Sequence, residues 1–413
     1  MLEHLFRHQA GRIVAHLARV VGPAQLGLAE EAVQEAMLRA LQVWPHQGMP
    51  ENAAAWLFRV AQNAAIDAIR HRRMLGDKSD AIVRELTRSA VFVDCDPDLE
   101  EQLRDDELRM IFMCCHQGIS RDASVALSLK TVGGFSVREI ARAFLADEPT
   151  IAQRLVRAKR QIRDARLTLD MPRGAELRER LDSVLEVVYF LFNEGYAAHE
   201  GEELIRQDLC LEGLRLGRLV AASSIAEPRV HALVALMAFE AARLPARVDE
   251  SGDLILLDNQ DRGRWDAKLI ALGYHHFDRS MAGDEVTTYH AQAAIAATHA
   301  RAADAHATDW PLILRLYDQL LAIHPSPVVA LNRAVAVAKV RGAAEALASI
   351  AGLEDDPKLR DYHLGLAVRG HLFLELERRA EAAECFRRAL ECACSEPERR
   401  FLKKRLAECE RTR

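Results

Sequence analysis

Aromatic residues are scarce, at 6% of a chain of 413, although half of all residues are hydrophobic. The core must therefore be built from Ala, Leu and Val, a composition that suits closely packed helices. No apolar run reaches the roughly 18 residues needed to span a bilayer. The N-terminal stretch MLEHLFRHQAGRIVAHLARV alternates polar and apolar residues at helical period, unlike a signal peptide. No membrane attachment is expected, and a cytoplasmic location follows. The eight cysteines contain no C-x-x-C pair. The close sets, Cys114-Cys115-His116 and Cys392-x-Cys394, lack zinc-ligand spacing. They read as small buried hydrophobes, and neither a metal nor a cofactor is called for. The formal net charge of −6 argues against polyanion binding by the whole surface. Local basic faces remain open, because screening confines charge effects to roughly 10 Å.

What is present centres on Gly133 to Asp164, GGFSVREIARAFLADEPTIAQRLVRAKRQIRD. Ser136 is a natural N-cap with Glu139 three residues on, in capping-box spacing. Val137, Ile140, Ala141 and Phe144 repeat at helical period. Asp147-Glu148-Pro149 interrupts the pattern, and Pro149 suits the first turn of a second helix. There Ile151, Leu155, Ala158 and Ile162 form the predicted buried stripe. Gln153, Arg154, Arg157, Lys159, Arg160 and Arg163 cover the rest. A core-anchored stripe backed by basic side chains is the pattern of a helix-turn-helix recognition helix. An ordinary helical hairpin with a solvated basic face is the competing reading.

Residues 1–75 form a helical block, in which Gly22-Pro23 is expected to end the first helix and Pro45 the second. The second helix is expected to bury Val33, Met37, Leu38, Leu41 and Trp44, leaving Glu31, Gln34 and Glu35 exposed. The third buries Trp56, Leu57, Val60, Ala64 and Ile69. It ends in Arg70, His71, Arg72 and Arg73, a stripe that with Arg59 suits phosphates. Residues 76–104 are a loose linker with an acidic run from Asp94 to Glu101, and 105–170 hold the helix-turn-helix. Residues 171–285 are a helical domain whose stripe includes Leu181, Val184, Leu185 and Val188. Leu254 to Leu257 is its one expected strand. Two polar clusters, Phe192 to Tyr196 and Asp258 to Asp266, read as ion-pair networks fixing helices. No nucleophile, metal pattern or phosphate loop accompanies them. From 286 to 413 the chain has a repeat character. Leu366, Gly370, Phe373, Ala382, Phe386 and Ala389 follow the large-and-small spacing of tetratricopeptide repeats, and Tyr317, Leu320 and Pro325 follow a weaker copy.

Taken together, the two basic units carry a resemblance. AEEAVQEAMLRALQVWP and AAWLFRVAQNAAIDAIRHRR resemble region 2 of bacterial sigma factors, and GGFSVREIARAFLADEPTIAQRLVRAKRQIR resembles region 4. Their order, with a short linker and no region 3, is similar to an extracytoplasmic-function sigma factor. NEGY, RQDLCLE and DNQDRGRWD are similar to motifs of a long C-terminal helical extension found in one subgroup. The resemblance implies an all-α fold: a region 2 domain, a helix-turn-helix region 4 domain and a tetratricopeptide-like extension. It implies a non-enzymatic subunit that recruits core RNA polymerase to promoter DNA. Glu31, Gln34 and Glu35 would dock on the polymerase. Trp56, Arg59, Asn63, Asp67, Arg70, Arg72 and Arg73 would open and read the −10 element. Thr150, Gln153, Arg154, Arg157 and Arg160 would face the −35 element. The acidic run would thread toward the RNA exit path. The extension would regulate, through contact with the sigma domains or the polymerase. A helix-turn-helix regulator with a repeat domain that does not replace a sigma subunit is the alternative. An enzyme with its site at Asp258 to Asp266 is a second.

Overall fold

The structure is a computed structural model that describes residues 2–72, 82, 84, 86–87, 97–144, 146–196, 205–353, 356, 359, 362–392 and 394–411. Among these the regular elements are helical, and the chain divides into two units, Met1–Phe190 and Leu191–Arg413. No described helix is long and apolar enough to cross a membrane.

The N-terminal unit begins with α1 (Leu2–Val21), α2 (Leu26–Gln47) and α3 (Ala53–Arg72). Gly22, at φ 90°, separates the first two helices. Pro45 does not stop α2: it sits in the last turn, and Gly48 closes the helix by donating to the Trp44 carbonyl at 3.0 Å. So close to its end, a helix loses little to a missing N–H. Asn52 caps α3, its Oδ1 accepting from the Ala55 N–H at 3.0 Å. Ala15, Leu17, Ala29, Ala40, Leu57, Phe58 and Ala65 form a core of the small and aliphatic residues the composition foretold.

Next come α4 (Pro97–Cys114), α5 (Arg121–Thr131), α6 (Val137–Ala143), α7 (Glu148–Asp164) and α8 (Gly174–Tyr196). The expected linker is thus partly helical, because Pro97 opens α4. Asp94 to Asp96 lie outside the described residues. Cys114 and Cys115 are buried at the end of α4. Burial pushes the Cys114 thiol up to about 12 and the Cys115 thiol further still, so both pack as inert hydrophobes.

α1 joins this second set of helices to the first. His16 lies 2.9 Å from Asp106 of α4, and Arg19 lies 2.9 Å from the same carboxylate. Arg12 faces Glu107 at 3.6 Å. Asp106 and Glu107 are themselves buried. At Gly11 the backbones come so close that a Cβ would collide with the Val132 carbonyl oxygen.

The second unit holds the last turn of α8, then α9 (Gln207–Ala221), α10 (Pro228–Ala242), α11 (Ala267–Ser280) and α12 (Thr288–Arg301). α10 is buried along almost its whole length, from Arg229 to Phe239 without a break. A helix hydrophobic on every side belongs at a centre. Leu254 to Leu257 forms no strand. Leu254 makes a single antiparallel bridge with Val248, and Leu257 enters a short 3-10 turn.

The remaining helices are α13 (Trp310–Ile323), α14 (Pro327–Arg341), α15 (Ala343–Ser349), α16 (His363–Glu375), α17 (Arg379–Glu391) and α18 (Glu396–Glu410). Leu366, Phe373, Ala382, Phe386 and Ala389 share one cluster between α16 and α17. A Cβ at Gly370 would lie 2.9 Å from the Phe386 ring, so the glycine admits that ring.

Candidate nucleic-acid interface

The helix-turn-helix is built by its local sequence. Ser136 Oγ accepts from the Glu139 N–H at 3.1 Å, and Glu139 Oε2 accepts from the Ser136 N–H at 2.7 Å, closing the capping box. Asp147 caps α7, accepting from the Thr150 N–H at 2.8 Å. Hydrogen bonds from Thr150 hold the Asp147 carboxyl below its usual range. Ile151, Leu155, Ala158 and Ile162 are the buried residues of α7, the stripe its spacing predicted. The flanking side carries Thr150, Gln153, Arg154 and Arg157 within about a third of the helical circumference, at 100° per residue. Gln153 and Arg157 are exposed, whereas Thr150 and Arg154 are half-buried. Arg160 is exposed and pairs with Asp164 at 3.2 Å, a surface contact worth at most about 1 kcal/mol. Lys159 leaves this group: it meets Glu30 of α2 at 2.5 Å.

α3 presents a second polar face. Trp56, Arg59, Asn63, Asp67 and Arg70 follow three- and four-residue steps and share one side. Trp56 is half-buried, its ring edge-on to Trp44 at 5.4 Å, not enclosed as its place in the apolar pattern suggested. Val60 and Ala64 are also half-buried, and the core side belongs to Leu57, Phe58, Ala61 and Ala65. Arg59, Asn63, Asp67 and Arg70 are exposed, with Arg70 3.8 Å from Asp67. Arg72 ends the helix, and Arg73 lies outside the described residues.

On α2, Glu31, Gln34 and Glu35 are exposed. Leu38 and Leu41, expected in the core, are 60% and 52% exposed. They continue the acidic face by one and two turns, so α2 shows a solvent-facing stripe that is acidic at one end and apolar at the other. The four-residue step from Gln34 to Leu38 was the available signal.

The polar clusters of the second unit are absorbed by its own fold. Arg247 stacks 3.8 Å over the Tyr196 ring and donates to the Tyr196 carbonyl, and burial pushes the Tyr196 hydroxyl up to about 12. Gly195 lies where a Cβ would come within 2.6 Å of the Cys210 nitrogen. Arg262 donates to the carbonyls of His299 and Ala302 at 2.5 and 2.9 Å and to Thr308 Oγ1 at 2.8 Å. Asp266 caps α11, accepting from the Lys268 and Leu269 N–H groups. These are structural contacts. Among the described residues no group of three His, Cys, Asp or Glu side chains could hold a metal ion.

Comparison with known proteins follows this division. A sigma-70 region 2 profile matches residues 5–74, and a sigma-70 region 4 profile matches 109–162. Residues 180–281 match a family of unknown function, DUF6596. An uncharacterized protein of Rhizobium meliloti is 39% identical over 92% of this chain and 90% of its own length. The RNA polymerase sigma factor CarQ of Myxococcus xanthus is 30% identical over 33% of this chain and 73% of its own length. No solved structure matches at comparable significance. With both sigma-70 regions present in order, on helices that expose the matching polar faces, the chain belongs to the RNA polymerase sigma factor family.

Proposed function

We propose that this chain is a sigma factor of the extracytoplasmic-function type that binds core RNA polymerase and directs promoter-specific initiation in the cytoplasm. The supporting observation is the coexistence of two surfaces in one unit. α2 exposes Glu31, Gln34 and Glu35 in line with Leu38 and Leu41, and α7 exposes Gln153 and Arg157 beside Thr150 and half-buried Arg154. The first docks on polymerase, its leucines adding apolar area to the acidic contact. The second enters the major groove at the −35 element, where Arg suits guanine and Gln suits adenine. Arg160 contacts the adjoining backbone. Arg59, Asn63, Asp67, Arg70, Arg72 and Arg73 follow the melted −10 strand, and Trp56 stacks on an unpaired base. Residues 286–413 are a tetratricopeptide-like helical module that regulates the sigma regions. α8 begins within the N-terminal unit, Arg180 donating to the Phe112 carbonyl at 3.0 Å and Phe190 stacking on Phe144 at 6.3 Å.

Region 2 and region 4 touch in the free chain through His16–Asp106 and Lys159–Glu30. Two elements about 25 base pairs apart lie roughly 85 Å apart along DNA at 3.4 Å per base pair. Engaging both requires those contacts to open. The deciding experiment is transcription in vitro with core polymerase, the full chain and genomic promoter fragments. Specific initiation that Glu35→Lys abolishes, with the fold intact, supports the reading. A full chain that neither binds core polymerase nor supports initiation overturns it.

A further inference from the structure

The second unit contains a cavity of about 280 Å³ that none of the promoter-reading machinery uses. Three helices, α14, α16 and α18, supply most of its wall, through residues such as Ala338, Ala367 and Leu402. Trp310 and Phe386 add to the wall, and the remaining side is the segment bearing Leu254, Leu256, Leu257 and Asp258. That segment is clamped at both ends: Asp253 meets Arg400 at 2.5 Å, the Gly252 carbonyl accepts from Arg400 at 3.1 Å, and Asp258 meets Lys339 at 2.6 Å.

We infer that this cavity is a binding site for a small, neutral, apolar molecule of about the size of naphthalene or indole. Three observations carry the inference. The volume is nearly twice that of the roughly 150 Å³ apolar cavities that stay dry and bind benzene. Next, two leucines near it, Leu256 and Leu364, remain 38% and 39% exposed. Large side chains at the mouth of an apolar hollow are what a ligand would cover. Last, the charged groups around it are already engaged with one another. Glu398 accepts from Ser395 at 2.7 Å and faces His363 at 3.2 Å. His371 bridges Arg405 at 3.1 Å and Glu375 at 3.2 Å, and Arg405 also holds Glu408 at 2.6 Å. Lys339 is engaged by Asp258. A charged ligand would have to break one of these pairs and leave its partner uncompensated, whereas a neutral one fills the hollow without doing so. This site does not depend on the transcription reading, and either can fail alone.

The test is a fluorescence titration of the full-length chain with N-phenyl-1-naphthylamine, a neutral apolar probe. Saturable one-to-one binding is expected, with naphthalene displacing the probe at lower concentration than decanoate or decylamine. Ala338→Phe and Ala367→Phe, which fill the hollow, should each weaken binding at least tenfold. Leu256→Asp, at an exposed wall position where no core packing is at stake, should do the same even if a filling variant misfolds. Arg400→Ala, which frees one end of the segment, should weaken binding several-fold. Non-saturable binding, equal binding by Leu256→Asp, or stronger displacement by either charged competitor overturns the assignment.

Discussion

Arginine serves opposite purposes in the two units. In the N-terminal unit Arg59, Arg70, Arg157 and Arg160 face solvent from α3 and α7. In the second unit Arg243 lies among Trp265 and Glu240, Arg247 stacks on Tyr196, and Arg262 gathers two carbonyls and a hydroxyl. Both halves are rich in the residue, so composition does not tell them apart. The difference lies in what the guanidinium finds within reach. Where the fold supplies carbonyls and rings, the donor fork is satisfied internally and fixes helices. Where the side chain is exposed, as at Arg70 and Arg160, its ion pair lies at the surface and is worth little, so a phosphate can displace it at small cost.

Substitutions on the two sides should therefore fail in different assays. The largest effect is expected from Arg262→Ala, which strips a charged donor from the His299 and Ala302 carbonyls and from Thr308. A loss of about 2–3 kcal/mol of stability follows for hydrogen bonds to a charged group, read as a lower denaturant midpoint. Promoter affinity at low temperature should hold. Arg154→Ala and Arg157→Ala should behave conversely. Each is expected to lose about 1–3 kcal/mol of −35 discrimination with no change in melting. Equal weakening on every sequence would make the residue a phosphate contact instead. Smaller still is Leu38→Ser with Leu41→Ser. Half-exposed leucines contribute about 0.7 kcal/mol each when a partner covers them, so polymerase affinity should drop by roughly tenfold while stability stays level or rises. Loss of stability in that double variant would return both leucines to the core.

The smallest effect is one of pH. Burial, then the charges of Arg243 and Arg262, lower His299 to about 4, and burial, then neighbouring His231 and His275, lower His276 to about 4. A histidine depressed in the fold takes up its proton more readily when unfolded. The stability it contributes is thus complete above about pH 6.5 and declines as pH falls from there toward 4. The melting temperature of the second unit should follow that course, and His299→Gln should flatten it. A profile that is unchanged by His299→Gln would assign the slope to other groups.

How much of this could be read in advance depended on the range of the interaction. The capping box at Ser136 and Glu139 and the stripe from Ile151 to Ile162 lie within one or two turns, and local spacing defines them. Leu38 and Leu41 were misplaced because periodicity reports that a stripe is apolar, not whether the neighbouring helix is wide enough to cover it. Trp56 stands half out for the same reason. Leu254 to Leu257 has the residues of a strand but finds only Val248 as a partner, so it stays a bridged loop. His16 and Asp106 meet across 90 positions, and no local pattern announces that contact. Spacing shows that Glu31, Gln34 and Glu35, and likewise Thr150, Gln153, Arg154 and Arg157, share helix faces; the docking and −35 roles are implied by the family resemblance, and the cavity beside Leu254 needed the tertiary structure.

The closeness at Gly11 bears on how the two sigma regions would part. Where backbone meets backbone with no side chain between, there is no soft cushion to compress or stretch by degrees, and the Val132 carbonyl is either against α1 or away from it. Opening should then be a discrete step between two populations. Shifting such an equilibrium from 1:99 to 99:1 takes about 5.5 kcal/mol of preferential binding to the open form, which polymerase and promoter together must supply. A methyl group at position 11 would shift the same balance from inside the chain, giving a sigma subunit that is partly open before it meets its polymerase.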